Sequence, residues 1–461
     1  MKKDGKIKSK KKIKGSHPLP VIRPDVAGID LGATEHWVCG PVRSDRKLNI
    51  KCFRSTTPQL YELAGWLSRQ GVRSVAMEST GIYWIPLYEI LEAKGFEVLL
   101  VNARELNHVP GRKTDVIDCQ WIQVLHSCGL LRGSFRPGES ICKLRALHRE
   151  CANFVDHRTQ AVQGMQKALD QMNVQVHRAV SDMTGKTGML IVRAIVGGER
   201  NPKVLAKLRD RRCKKSLKQI AEHLEGNWRE EHLFNLTRAL ELYDFAQKTI
   251  SCYEERINEE MIALQPPQRQ EATLAAHPNP EKEKALKSRG EQYERELLWR
   301  FSGVDLSHID GIATDAARVI LTEVGLDVSA FPTEKHFVSW LRLNPRVSIS
   351  GGKPLRKKGN ATGANRISGV LRMSARSLCK SKTALGAAYR RKAMHKGGKV
   401  ALFATARKLA VLVYRMLRYG QDYVDEGAEA YEARFRLRRI NALRNNAKAL
   451  GMCLQPIPPP T

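Results

Sequence analysis

Paired cysteines, long apolar runs and acidic residues are what this chain has least of. Its ten cysteines, at positions 39, 52, 119, 128, 142, 151, 213, 252, 379 and 453, stand singly with no CxxC pair. That excludes the usual zinc-site spacings and reads as reduced, intracellular thiols. No apolar run approaches the roughly 18 residues of a membrane span, and the lysine-rich start has no apolar stretch after it, which excludes a secretory signal. A soluble, cytoplasmic protein is expected. No repeat with a period of about 20 to 50 residues is visible, so a solenoid is excluded. Acids are scarce: 47 Asp plus Glu face 78 Lys plus Arg, a formal charge of +31. Such an excess favours a polyanionic partner, because each cation placed on a phosphate releases condensed counterions. A basic ribosomal or chromosomal protein without chemistry would show the same balance.

At 461 residues the chain exceeds one ordinary domain of roughly 100 to 200 residues, and two to four units are expected. Residues 1–24 hold eight lysines and one acid, a composition that cannot bury a core. They read as a disordered arm that touches nucleic acid or only solubilises. Residues 25–143 open with β-rich runs, Val26 to Leu31, His36 to Val42 and Leu48 to Phe53. A helix Pro58 to Arg69, a strand Ser74 to Glu78, a helix Ile82 to Lys94, a strand Glu97 to Val101 and a helix Asp115 to His126 follow. Strands first, then alternating helix and strand, is the order of an α/β, ribonuclease-H-like (RuvC-like) domain. From residue 144 to 300 the apolar period becomes helical. Two heptad-like runs, Leu144 to Val176 and Leu233 to Leu264, predict coiled-coil or hairpin arms around a basic insertion at about 181–232. The stretch Pro266 to Arg289, rich in proline and charge, predicts a linker. A mainly helical unit at 301–420 is interrupted by the glycine-rich, basic segment Ser348 to Arg366, and residues 421–461 predict one more helix and a tail.

Four acids stand out by order and setting. Asp30 lies in the first strand, Glu78 ends a later one, and Asp115 and Asp118 are three apart on a helix, hence on one face. Oxygen donors of this kind suit hard divalent cations, and two such ions roughly 3.5 to 4 Å apart stabilise both attacking and leaving oxygens of a phosphodiester. Singly, each acid could be a solvated turn or, for Asp115, a helix start.

The runs Gly28-Ile29-Asp30-Leu31-Gly32, Met77-Glu78-Ser79-Thr80-Gly81-Ile82-Tyr83-Trp84, Val101-Asn102-Ala103-Arg104 and Gly111-Arg112-Lys113-Thr114-Asp115-Val116-Ile117-Asp118 resemble the DEDD insertion-sequence transposases, the IS-one-ten family. Ile309-Asp310-Gly311-Ile312, Glu323-Val324-Gly325 and Trp340-Leu341-Arg342-Leu343-Asn344-Pro345-Arg346, ending in Ser348-Ile349-Ser350-Gly351-Gly352-Lys353, resemble that family's second domain. The resemblance covers roughly Val26 to Met172 and Val304 to Ser381. It implies a serine-bearing transposase domain in which Ser350 is the nucleophile, with Ser348 the fallback. It also implies Mg2+ (or Mn2+) on the four acids, a bridge RNA that guides donor and target DNA, a tetramer built as a dimer of dimers, and a prokaryotic, nucleoid-associated setting. Without the resemblance, Ser350-Gly351-Gly352 reads as a turn and not as a site. Asp310-Gly311-Ile312-Ala313 resembles a phosphate-receiving hairpin, although Ala313 stands where glycine is usual. No acid occurs from Gly351 to Tyr419, and Lys353, Arg356, Lys357, Lys358, Arg366, Arg372 and Arg376 read as phosphate contacts, together with Arg112, Lys113 and Arg346 of the matched motifs. Two other readings share these residues: a Holliday-junction resolvase or nuclease using water, and a non-catalytic nucleic-acid-binding protein.

Overall fold

Side-chain alternation along the first strand decides how the N-terminal unit is layered. The computed structural model describes residues 20–41, 49–79, 81–102, 115–344, 348–350, 353–355, 365–420, 422 and 427–455. It divides into two units, Met1–Arg136 and Pro137–Thr461. The first contains β1 (Val26–Leu31), β2 (Glu35–Cys39), β3 (Ile50–Arg54), α1 (Thr57–Arg69), β4 (Ser74–Glu78), α2 (Trp84–Ala93), β5 (Glu97–Val101) and α3 (Asp115–Ser127). One sheet runs β3-β2-β1-β4-β5. The first three strands pair antiparallel and β4 and β5 lie parallel to β1, an order compatible with the expected ribonuclease-H-like domain.

β1 is central and buried on both faces, which is why Val26 to Ile29 carry no charge. Ala27, Ile29, Val75 and Met77 point into a core with Leu63, Leu67, Leu87 and Leu91 of α1 and α2. The opposite face, which carries the even-numbered residues of β1 and β4, receives α3 through Ala76, Val101 of β5 and Ile122. β1, β4 and β5 fall where the sequence puts them. β2 and β3 are shorter than expected at the ends facing residues 42–48, which lie outside the described residues.

In the second unit α4 (Glu139–Gln171) and α8 (Glu230–Ala263) form an antiparallel hairpin. Lys143 pairs with Glu260 at 2.6 Å, Arg158 donates to Gln247 at 2.9 Å, and Phe154 packs against both Phe245 and Tyr253. The basic insertion folds as α5 (Lys186–Val196), α6 (Pro202–Lys207) and α7 (Leu217–Leu224). These close over the hairpin's end around Met172, Val174, Ile191, Leu205, Ile220 and Leu236. α6 starts on an Asn201 cap followed by proline, and α7 on a reciprocal Ser216–Gln219 capping box.

The expected linker Pro266 to Arg289 is corrected: its second half is helix α9 (Pro280–Arg289). Asn279 accepts from the amides of Glu281 and Lys282, Pro280 opens the helix, Gly290 closes it with φ 71°, and Leu286 is buried. Start and stop signals outweigh a composition that looks like coil. After it come α10 (Gln292–Ser302), α11 (Thr314–Val324), α12 (Glu334–Trp340), a hairpin of β6 (Ser348–Ser350) and β7 (Lys353–Leu355), α13 (Arg366–Ser377), α14 (Ala384–Lys396), α15 (Gly398–Tyr419) and α16 (Gly427–Ala449). Phe331, Phe337, Trp340 and Tyr414 form an aromatic core, and the Tyr414 hydroxyl donates to the Phe331 carbonyl at 2.8 Å.

A buried carboxylate ties α4 to this helical region. Glu323 accepts from Arg149 at 2.7 and 2.8 Å, lies 3.5 Å from Arg145 and 3.9 Å from Arg366, and offers its carbonyl to Arg145 as well. Among the described residues no helix is long and apolar enough to cross a membrane, and the ten cysteines form no disulfide.

Candidate active site

Glycine at position 28 is what lets α3 lie on the sheet. A Cβ there would come within 2.3 Å of the Gln123 amide nitrogen and 2.5 Å of the Cys119 carbonyl oxygen, so any side chain would push the helix away. Asp30, two residues along β1, occupies the same face. On the neighbouring strand the Ser74 hydroxyl meets the His126 Nε2 at 2.8 Å, and Ala76 packs on Ile122. Two residues of strand advance about 6.6 Å and four of helix about 6 Å, so the pairing keeps step. Asp30 and Glu78 therefore lie towards the end of the β1–β4–α3 layer at which Asp115 and Asp118 open α3.

Three of the acids act on nearby thiols. The Cys119 thiol is pushed well above its ordinary range by burial first, then by Cys39 and by the carboxylates of Asp30 and Asp118. Burial pushes Cys39 to about 12. Cys52 on β3 is raised by burial, by Glu35 and, from the far side, by Asp115. The thiols beside the acids are therefore neutral packing groups and no nucleophiles. The oxygen-only donor set fits a hard dication. It is not a closed cage: among the described residues no three His, Cys, Asp or Glu side chains are grouped to hold a metal ion, and Asp30, Glu78 and Asp118 each engage other groups.

His126, at the opposite end of the same layer, gives the unit a pH dependence. Burial, then the charge of Arg23, lowers it to about 4 from the ordinary 6.5. The folded state thus binds fewer protons than the unfolded one between these values, and stability falls as pH drops from 6.5 towards 4, by about 3 kcal/mol at about 1.4 kcal/mol per pH unit. Urea midpoints of the full chain should drop between pH 7 and pH 4.5, and His126→Gln should flatten much of that drop. An equal drop in both proteins would refute the assignment.

Ser350 ends β6, paired with Lys353 across residues 351–352, and Ser348 begins the same strand. The four acids belong to the first unit and both serines to the second. Of the expected phosphate contacts, Arg112, Lys113, Arg346, Arg356, Lys357 and Lys358 lie outside the described residues, and Lys353 is in β7. Arg366, Arg372 and Arg376 are on α13; Arg366 and Arg376 are exposed, while Arg372 is half-buried over the Phe403 ring and donates to the Ser368 carbonyl at 3.2 Å. Sequence reading missed Arg145 and Arg149, whose partner Glu323 is 174 positions or more away. No local spacing signals such a pair.

Two family models match the chain. Residues 27–174, which include all four acids, match the DEDD transposase model of IS110, and residues 304–391, which include Ser350 and α13, match the model described as Transposase IS116/IS110/IS902 family. The chain belongs to the IS110 transposase family. No curated protein matches it. As an IS110 transposase it is a DNA-processing enzyme and binds DNA, and both matched segments carry the acids and cations singled out above. The whole insertion, α9, α10 and the terminal helix α16 fall outside both matches.

Proposed function

We propose that this IS110 transposase exchanges DNA strands through a covalent phosphoserine, with Asp30, Glu78, Asp115 and Asp118 holding Mg2+ or Mn2+ at the scissile phosphate and Ser350 as nucleophile. The observation that supports it most is the family match over residues 27–174, which include all four acids, on a sheet whose order is compatible with a ribonuclease-H-like domain. A divalent ion held there would neutralise charge on the attacking and leaving oxygens. The Ser350 oxygen forms a bond to phosphorus as a deoxyribose oxygen leaves; the serine loses its proton and the leaving oxygen gains one. A hydroxyl of the partner DNA strand then displaces the serine. Phosphoester bonds are conserved, so no external energy source is required.

Target choice lies with a structured RNA that pairs with donor and target, held by shape and backbone as RNA duplexes are. The hairpin arms join protomers in a tetramer, a dimer of dimers, and the serine of one subunit completes the carboxylate site of another. The setting is the prokaryotic cytoplasm, at the nucleoid.

RNA that travels with the purified protein would be sequenced, and strand exchange assayed with that RNA on donor and target plasmids. One structured RNA species should be enriched, EDTA should stop exchange, and Mg2+ or Mn2+ should restore it. Absence of a specific RNA would sink the guided reading, and exchange that ignores EDTA would sink the metal.

A further inference from the structure

The insertion at the end of the hairpin holds a cleft of about 690 Å3 outside both family matches. Five cations line it, Arg178, Lys186, Arg212, Lys214 and Lys215, against two acids, Asp182 and Asp210, a formal excess of 5 − 2 = +3. Both acids serve the cleft's own architecture. Asp182 accepts from the amide and hydroxyl of Thr184, each at 2.8 Å. Asp210 accepts from Arg212 at 3.0 Å, and its amide donates to the Thr187 hydroxyl at 2.9 Å. Lys215 also stiffens the wall, through the Arg178 carbonyl and His223.

Lys186 and Arg212 share the single carboxylate of Asp210, at 4.0 and 3.0 Å, yet their side chains stay 75% and 82% exposed on the rim, and Lys214 is exposed beside them. The floor between them is the start of α5. Gly185 occupies the N-cap there with no side-chain cap, so the positive end of an 11-residue helix opens into the cleft among the cations. An open, polar, cation-rimmed groove suits a linear polyanion that passes through, and a chain of +31 has few other partners of such charge.

We propose that this cleft, rimmed by Lys186, Arg212 and Lys214 at the open start of α5, is a phosphodiester-backbone site that grips one strand of a nucleic-acid duplex. The proposal rests on the nucleic-acid reading above and adds to it a contact remote from the four acids. It carries no base specificity, because the exposed rim groups are ammonium and guanidinium charges that read the backbone.

The full-length protein would be titrated with a fluorescein-labelled 20-base-pair RNA duplex and with the DNA duplex of the same sequence, across a range of salt. The variant Lys186→Ala/Arg212→Ala/Lys214→Ala is compared with Lys203→Ala/Lys207→Ala/Lys218→Ala, which removes equal charge from exposed positions off the cleft. The cleft variant should bind at least one duplex about tenfold more weakly than the control variant, and its slope of log affinity against log salt should be smaller by roughly 2 to 3. Crosslinks from a 4-thiouridine-substituted duplex should map to peptides within residues 178–187 or 210–215. Equal affinities for the two variants, crosslinks confined to other peptides, or displacement by millimolar inorganic phosphate, which would mark a small-anion site, overturns the proposal. Wild-type binding and strand exchange are measured alongside: if they persist, only the cleft assignment falls, whereas a wild type that binds neither duplex removes the parent reading too.

Discussion

Ser350→Ala should abolish the protein–DNA adduct on a denaturing gel and lower strand exchange by on the order of 10^4-fold or more, the scale on which enzymes lose rate when their nucleophile is deleted. The change removes one oxygen from a short strand whose backbone pairs with Lys353, so the hairpin of β6 and β7 should survive it. DNA affinity should stay within about twofold, because a single uncharged hydroxyl contributes little to polyelectrolyte binding. Undiminished cutting without an adduct would transfer the attack to water and turn the protein into a nuclease or resolvase. An adduct lost from Ser348→Ala and kept in Ser350→Ala would move the nucleophile two residues back.

Asp30→Asn should cost about 10^3-fold in strand exchange, or roughly 4 kcal/mol of barrier, while duplex binding is kept or slightly tightened. Asparagine has nearly the same shape, so β1 and the seat of α3 at Gly28 are preserved and only a negative charge is lost. Asp30 should be the most sensitive of the four acids, since it lies on the central strand of the sheet. Asp115, at the first residue of α3, also favours the helix through its dipole, and Asp115→Asn should lower stability as well as rate. Exchange by Asp30→Asn at the wild-type rate would remove the carboxylate site from the mechanism.

The α/β unit was the most legible part of the sequence. β1, β4 and β5 are short apolar runs with sharp turn signals at their ends, and local pattern suffices for such elements. The two arms were legible for the same reason, with apolar residues every three or four positions. α9 was not, because nine of the ten residues it holds are charged, polar, Pro or Ala and only Leu286 enters a core. Asn279-Pro280 before it and Gly290 after it were the overlooked signs. At the candidate site the four acids could be picked by order, but the seat of α3 on the sheet depends on Gly28 and on the contact of Ser74 with His126, which only the fold supplies. The rim of the insertion's cleft was visible as a basic run. Its walls were not, since Arg178 and Lys215 meet 37 residues apart.

The hairpin of α4 and α8 also sets a yardstick. Helices of 33 and 34 residues at 1.5 Å per residue reach about 50 Å from root to tip. A duplex lying along them would need about 15 base pairs, at roughly 3.4 Å each, to engage both ends. Affinity for a nested series of duplexes should therefore rise in a step near that length instead of growing evenly with each added pair.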